Sequence, residues 1–326
     1  MNIKQGLEFD DVLIKPIPSN VSSRDDVDIS VKLSDFLTLK FPLIASPMVG
    51  VVDGAFANKL SDLGGLAILH RFYKNYQALC DDINDSINVN ANFGISLKLD
   101  DKNYEELLFT YQPKILLVDV ANGYIDRLAN YCESIKNCIC ERGYKTLLMA
   151  GNVATLRGCL KLHNAGCDII RVGIGNGSPC STRNHTGIGV PTITALQECD
   201  NNDVRKYTIV ADGGIRNAGD FVKAIVSGAD LGMAGRLFAE CYEAPNDDEY
   251  YGMASRTHIE RTKKTIKSIE GFAIKINKKH SLKTFVEEFG YGIKSAGTYL
   301  NAKSLEQIYF NGEFILTGRG SIKNLW

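Results

Sequence analysis

One cysteine stands apart from the other eight in this chain. Cys180 lies in GIGNGSPCSTR, a loop of Gly, Ser and Thr, whereas its fellows sit mostly in apolar runs. A thiolate is a strong nucleophile, and a nearby cation such as Arg183 lowers a thiol pKa. Two glycine turns add a second function. Gly213-Gly214 and Gly235-Arg236 each follow an apolar run. Glycine lets backbone N–H groups approach an anion closely, so a phosphorylated small molecule is expected there. The alternative reading is two tight turns. Asp212, just before the first pair, is acceptor-only when ionised. It either grips a ribose diol or caps the next helix.

These residues need a scaffold that gathers them at one place. Eight short runs are nearly continuous in apolar residues: 42–46, 66–69, 93–97, 115–120, 146–150, 168–172, 207–211 and 229–234. Such runs suit parallel strands buried on both faces. Amphipathic stretches of helical length, such as 124–142 and 218–227, lie between most of them. Strand then helix, repeated eight times, predicts an α/β fold of the (β/α)8 or TIM-barrel type. In such a barrel, chemistry collects at the C-terminal strand ends. Residues just past the runs are small or polar there: Ser46, His70, Arg71, Asp119, Ala121, Asn122, Gly151, Asn152, the Cys180 loop, Asp212 and Arg236. The loop 173–191 delays the sixth helix, and a polar stretch 241–280 follows the eighth strand as a mobile flap. The segment 281–303 reads as the last helix. The tail 308–316 reads as a hairpin turning at Asn311-Gly312.

Composition narrows the function classes. With 37 Lys+Arg against 38 Asp+Glu, no basic excess exists to neutralise a polyanion. A hydrophobic content of 44% argues against a disordered chain. No run of about 18 apolar residues predicts a membrane span. Acids at Glu8, Asp10 and Asp11 stand where a signal peptide would be apolar. The odd number of cysteines reads as a reduced, cytoplasmic protein. Cys138 and Cys140 are too close for a zinc half-site.

The residues as a set resemble the inosine monophosphate dehydrogenase/guanosine monophosphate reductase family. The resemblance runs through LEFDDVLIKP, VDVANGY at 118–124, MAGNV at 149–153 and RVGIGNGSPCSTRNHTGIGVP at 171–191. It continues through ADGGIRNAGD at 211–220, YGMAS at 251–255, EG at 270–271 and GIKSAGTY at 292–299. Three features resemble the reductase branch. Only the short segment 70–89 separates the second and third strands, so no regulatory insertion domain is expected and residues 1–326 form one catalytic barrel. VDVANGY is spelled as in reductases. RTHIERTKKTIKSI at 256–269 lacks the Arg-Tyr pair with which the dehydrogenases activate water.

The resemblance implies NADPH-dependent reductive deamination of GMP to IMP and ammonia through a bond between Cys180 and the purine, with Thr182 and Glu270 relaying protons. It implies phosphate and nucleotide contacts from Ser178, Asp212, Gly213, Gly214, Gly235, Arg236, Tyr251, Gly252, Met253, Ser255 and Gly271. Cofactor contacts would come from Arg71, Asp119, Ala121, Asn122, Ser295 and Tyr299. Potassium would rest on the carbonyls of Gly175, Gly177 and Cys180, and a homotetramer is implied. The chain also departs from the pattern. Asn176 replaces a family proline, Pro179 replaces an aliphatic residue, and ADGGIRNAGD is dehydrogenase-like. An IMP dehydrogenase, or a reductase of a related purine nucleotide such as dGMP, are the alternatives.

Overall fold

The structure is a computed structural model that describes residues 3–200, 205–253, 255 and 271–317. Eight parallel strands close on themselves: β1 (Leu43–Ala45), β2 (Leu66–Leu69), β3 (Phe93–Leu97), β4 (Ile115–Asp119), β5 (Leu147–Val153), β6 (Ile169–Val172), β7 (Thr208–Asp212) and β8 (Leu231–Ala234). Each pairs with the next, and β8 pairs with β1 through Gly232↔Leu43, Met233↔Ile44 and Ala234↔Ala45. The expected (β/α)8 barrel is therefore observed, with every strand where its apolar run stands.

Strand periodicity explains why the runs are apolar throughout. Ile44, Leu66, Ile68, Ile115, Leu117, Leu147, Met149, Ile169, Val210, Leu231 and Met233 pack together inside the barrel. Leu37 and Leu39, from the hairpin Val31–Ser34/Leu37–Leu39, join this interior cluster. The alternate residues, including Leu116, Val118, Ile170, Val172, Ile209 and Ala211, belong to the outer core against the helices.

The helices are α1 (Gly54–Asp62), α2 (Tyr76–Ser86), α3 (Tyr104–Tyr111), α4 (Asp126–Arg142), α5 (Leu156–Asn164), α6 (Thr192–Cys199), α7 (Ala218–Val226) and α8 (Leu282–Tyr299). Side chains start several of them by accepting an otherwise orphaned N–H: Asp53, Asn75, Thr155, Asn217 and Ser281. Gly143, in the left-handed region, closes α4. Among the described residues, no helix is long and apolar enough to cross a membrane.

The tail corrects the sequence expectation. Leu305–Asn311 is a helix, and Phe314–Leu316 pairs antiparallel with Val12–Ile14 near the other end of the chain. The Ser304 hydroxyl accepts from the Gln307 N–H at 3.2 Å and starts the helix. Leu305 and Ile308, three residues apart, bury one face. Asn311 donates to the Leu300 and Asn301 carbonyls, so Asn311-Gly312 ends a helix instead of turning a hairpin.

Helix α8 is fastened by aromatic rings. Phe41, just before β1, meets Phe285 and Phe289 edge-on at 6.1 and 5.9 Å. Phe221 meets Phe289 at 5.9 Å, and Phe238 meets Phe285 at 5.2 Å. Deleting a buried ring loses transfer energy and leaves a cavity. Phe41→Ala should therefore lower unfolding stability by about 3–5 kcal/mol, read as a lower urea midpoint with an unchanged slope.

Candidate active site

The strand alternation that fills the barrel continues one step further at its mouth. Ile115 and Leu117 point inward, so Asp119 does too; likewise Arg171 follows Ile169, and Asp212 follows Val210. The three side chains form one bridge. Arg171 Nη1 donates to Asp119 Oδ1 at 2.8 Å, and Nη2 donates to Asp212 Oδ2 at 2.7 Å. Asn152 Nδ2 donates to the same Asp212 oxygen and to the Gly173 carbonyl, each at 2.7 Å. Arg71 Nε reaches Asp119 Oδ2 at 3.1 Å, with its guanidinium 4.4 Å over the Phe72 ring. Gly151 makes room: its φ is +158°, and a methyl there would meet Arg171 Cβ and O at 2.7 Å.

Burial alone would raise the Asp119 pKa, but the Arg171 and Arg71 charges and their hydrogen bonds outweigh it and hold the carboxyl below its ordinary range. Burial likewise disfavours the Arg171 charge, and Asp212 and Asp119 more than restore it. The charged forms of Asp119 and Arg171 thus support each other. In the sequence, Asp168–Val172 reads as an apolar run, which hides Arg171. The available signal was a lone cation at the last inward position of a buried strand.

Cys180 lies in the loop after β6. Its thiol donates to Thr182 Oγ1 at 3.2 Å, and its N–H donates to the Gly177 carbonyl at 3.0 Å. Thr182 opens the short helix Thr182–Thr186. Arg183, expected to sit against the thiol, bonds instead to Glu8, Asn176 and the Val190 carbonyl. The loop backbone at Asn176 and Gly177 approaches Gly213 so closely that a methyl there would lie 3.0 Å from both. Gly213 and Gly214 have φ of +88° and +83°, which favours glycine at each.

A ribbon closes the other side. Glu249–Tyr251 pairs antiparallel with Ala273–Lys275, Tyr251 opposite Ala273. It carries Gly252 and Gly271 against the Cys180 loop: Phe272 N–H donates to the Pro179 carbonyl at 3.1 Å, and Gly271 bridges Cys180. Pro179 keeps that carbonyl while lacking an N–H. Ser255 is fully buried, donates its N–H to the Gly252 carbonyl at 2.9 Å and bridges Gly271. Glu270 lies outside the described residues, as do Ala254 and residues 256–269 of the expected flap; Met253 is described beside Gly252. Tyr250, also unforeseen, puts its hydroxyl against Met48 and Gly235. Burial pushes that phenol above its usual range.

The remaining expected residues divide. Ser178 is exposed on the Cys180 loop, and Ala121 and Asn122 are exposed after β4, where Asn122 Oδ1 accepts from Tyr124 N–H at 3.1 Å. Arg236 Nε donates to Glu240 at 3.1 Å and remains half exposed. Ser295 and Tyr299 stand apart. They lie in the last turns of α8, where the Tyr299 carbonyl accepts from Ile17 N–H and the Ser295 carbonyl from the Thr298 hydroxyl. Among the described residues, neither is hydrogen-bonded to the mouth cluster. Of the three residues whose carbonyls are expected for potassium, Gly177 accepts the Cys180 N–H, and the Arg183 side chain packs beside Gly175.

Removing Arg171 would take the shared guanidinium from two carboxylates in a poorly solvated layer, leaving Asp119 to Arg71 and Asp212 to the Asn152 amide. Arg171→Met should cost about 3–5 kcal/mol near neutral pH, as expected for one partner lost from a buried pair. The sign with pH follows from the depressed Asp119 pKa. Its stabilising contribution is complete above the unfolded carboxylate pKa of about 3.9 and is lost as pH falls through the lower folded value. In the variant Asp119 loses its strongest attraction and protonates at higher pH. The stability gap between variant and wild type should narrow as pH falls from 7 toward about 4, measured by urea unfolding. A gap constant over that range would rule out the ionic bridge.

The chain matches the family model described as IMP dehydrogenase / GMP reductase domain over residues 6–324. It is 32% identical to the GMP reductase of Streptococcus agalactiae serotype Ia, over 92% of each chain. It is 30% identical to the GMP reductase of Onchocerca volvulus, over 95% of this chain and 90% of the relative. It is 28% identical to the inosine-5'-monophosphate dehydrogenase of Borreliella burgdorferi, over 98% and 96%. With the barrel, the cysteine loop and its glycine turns at one mouth, the chain belongs to the IMP dehydrogenase/GMP reductase family of oxidoreductases.

Proposed function

We propose that this protein reduces GMP to IMP and ammonia, with NADPH as the reductant. The observation that carries the reading is the Cys180 thiol, hydrogen-bonded to the Thr182 hydroxyl on a loop that packs against the glycine pair following Asp212. Relatives named GMP reductase, aligned over nine-tenths of the chain, support it.

Each residue then has a task. The Thr182 hydroxyl takes the thiol proton as Cys180 sulfur bonds to purine C2. The C2–N bond breaks, and the amine leaves as ammonia after gaining a proton through Thr182, with Glu270 as its carboxyl partner. NADPH, when bound, supplies a hydride to C2. Cys180 leaves as thiolate as the C–S bond breaks, giving IMP. Asp212 has Oδ2 occupied by Arg171 and Asn152 and presents its other oxygen to the ribose. Ser178, Gly213, Gly214, Gly235 and Arg236 hold the phosphate. Tyr251, Gly252, Met253, Ser255 and Gly271 enclose the base. Arg71, Asp119, Ala121 and Asn122 form the cofactor side. The fit there is physical: Asp119 is fixed on two sides by Arg171 and Arg71, while Ala121 and Asn122 stay accessible.

Absorbance at 340 nm tests the reading. NADPH should be consumed with GMP, releasing one ammonia per hydride, and a panel of purine ribo- and deoxyribonucleotides ranks the substrates. NADH production from IMP, without GMP-dependent NADPH loss, would make the protein a dehydrogenase instead. Thr182→Ala should slow ammonia release on the order of 10²-fold, the usual size of a proton-transfer contribution. Full activity in that variant would remove Thr182 from the relay.

A further inference from the structure

The cysteine loop is held by a side-chain cation. Arg183 Nη2 donates to the Val190 carbonyl at 2.8 Å and bonds Asn176 Oδ1, while Nη1 bonds the Glu8 carboxylate. The other Glu8 oxygen accepts from Thr192 N–H at 2.8 Å. The Arg183 stem fills the space between the two arms of the loop: a methyl on Gly175 or on Gly189 would meet Arg183 Cγ at 2.7 Å. One guanidinium therefore ties the start of the loop at 175–176 to its end at 189–190, and both to the N-terminal arm. Cys180 sits in the span between them.

Gathering a turn's acceptors around a positive charge is the work that a monovalent ion would do on carbonyls alone. Here the acceptor at residue 176 is a side-chain amide oxygen, which the family's proline cannot offer. The planar fork of arginine can hold three acceptors in fixed directions, which a point charge does not do. The Gly177 carbonyl is meanwhile engaged by Cys180 N–H.

We propose that Arg183, clamped by Asn176, Val190 and Glu8, is the resident cation of the cysteine loop and a positioning residue for Cys180, so that the loop keeps its reactive shape without potassium. The inference rests on Cys180 being the reacting thiol, and not on which purine it attacks.

The test follows the thiol directly. Carbamidomethylation of residue 180 by iodoacetamide is timed by peptide mass spectrometry, in potassium, sodium or tetramethylammonium chloride at matched ionic strength. The wild-type rates should agree within about twofold, because screening is then the same. GMP turnover is measured in the same three salts. Potassium activation of alkylation or turnover by about tenfold or more would overturn the proposal, since it corresponds to at least the interaction assigned to the clamp. Asn176→Ala should lower the Cys180 alkylation rate and kcat about tenfold, the size of a lost hydrogen bond to a charged group, with KM little changed. Asn176→Asp should restore both, and Arg183→Lys should not. Thermal melts confirm that the variants fold. Unchanged alkylation in a folded Asn176→Ala would also overturn the assignment. If that variant fails to fold, the wild-type salt series decides alone. Should GMP prove not to be the substrate, the alkylation measurements still stand.

Discussion

The polar layer at the mouth of this barrel depends on one cation being held between two carboxylates. Arg171 projects inward because strand side chains alternate, and the inward positions below it are filled by Ile169 and its neighbours. A slip of one residue in β6 would turn the guanidinium toward the helices, leaving Asp119 to Arg71 alone and Asp212 to the Asn152 amide. The pairing is costly to desolvate and costly to break, so its value lies in geometry. Arg171 fixes Asp212, the proposed ribose contact, and Asp119, on the proposed cofactor side, relative to each other. Gly151 on the intervening strand is the concession that lets the side chain pass.

The thiol is placed by different means. The barrel supplies only the end of β6; the loop beyond it is braced from three directions. The N-terminal arm enters through Glu8, which holds Arg183 and Thr192, and is itself anchored by Lys223 Nζ on the Phe9 carbonyl at 2.9 Å and by Arg216 on Asp10. The ribbon after β8 enters through Phe272 and Gly271. The turn after β7 enters through Gly213. A residue on a loop thereby gains the fixed surroundings that a nucleophile needs.

Much of this was legible in the sequence because parallel strands buried on both faces leave an unmistakable apolar run. The polar residues just beyond those runs marked the mouth for the same reason. What was hidden depended on long-range partners. Arg171 looked like a strand residue until Asp119 and Asp212, far off in sequence, faced it. The 308–316 tail carried a plausible turn signal at Asn311-Gly312, but Ser304 and burial of Leu305 and Ile308 made it helical. Arg183 sits close to Cys180 in sequence and turns away from it because Glu8 and Asn176 lie on the other side. Ser295 and Tyr299 matched a motif, and in the fold they lie in the last turns of α8, where the Tyr299 carbonyl meets the N-terminal arm at Ile17.

The central claim is that Cys180 becomes covalently attached to the purine during turnover. Acid-quenched mixtures of protein, GMP and NADPH, analysed by intact mass and peptide mapping, measure this directly. The account predicts an added mass equal to the nucleotide less ammonia, confined to the peptide carrying residue 180 and absent from Cys180→Ala. A Cys180→Ala protein that still releases ammonia from GMP, with no adduct on the wild-type chain, would contradict it.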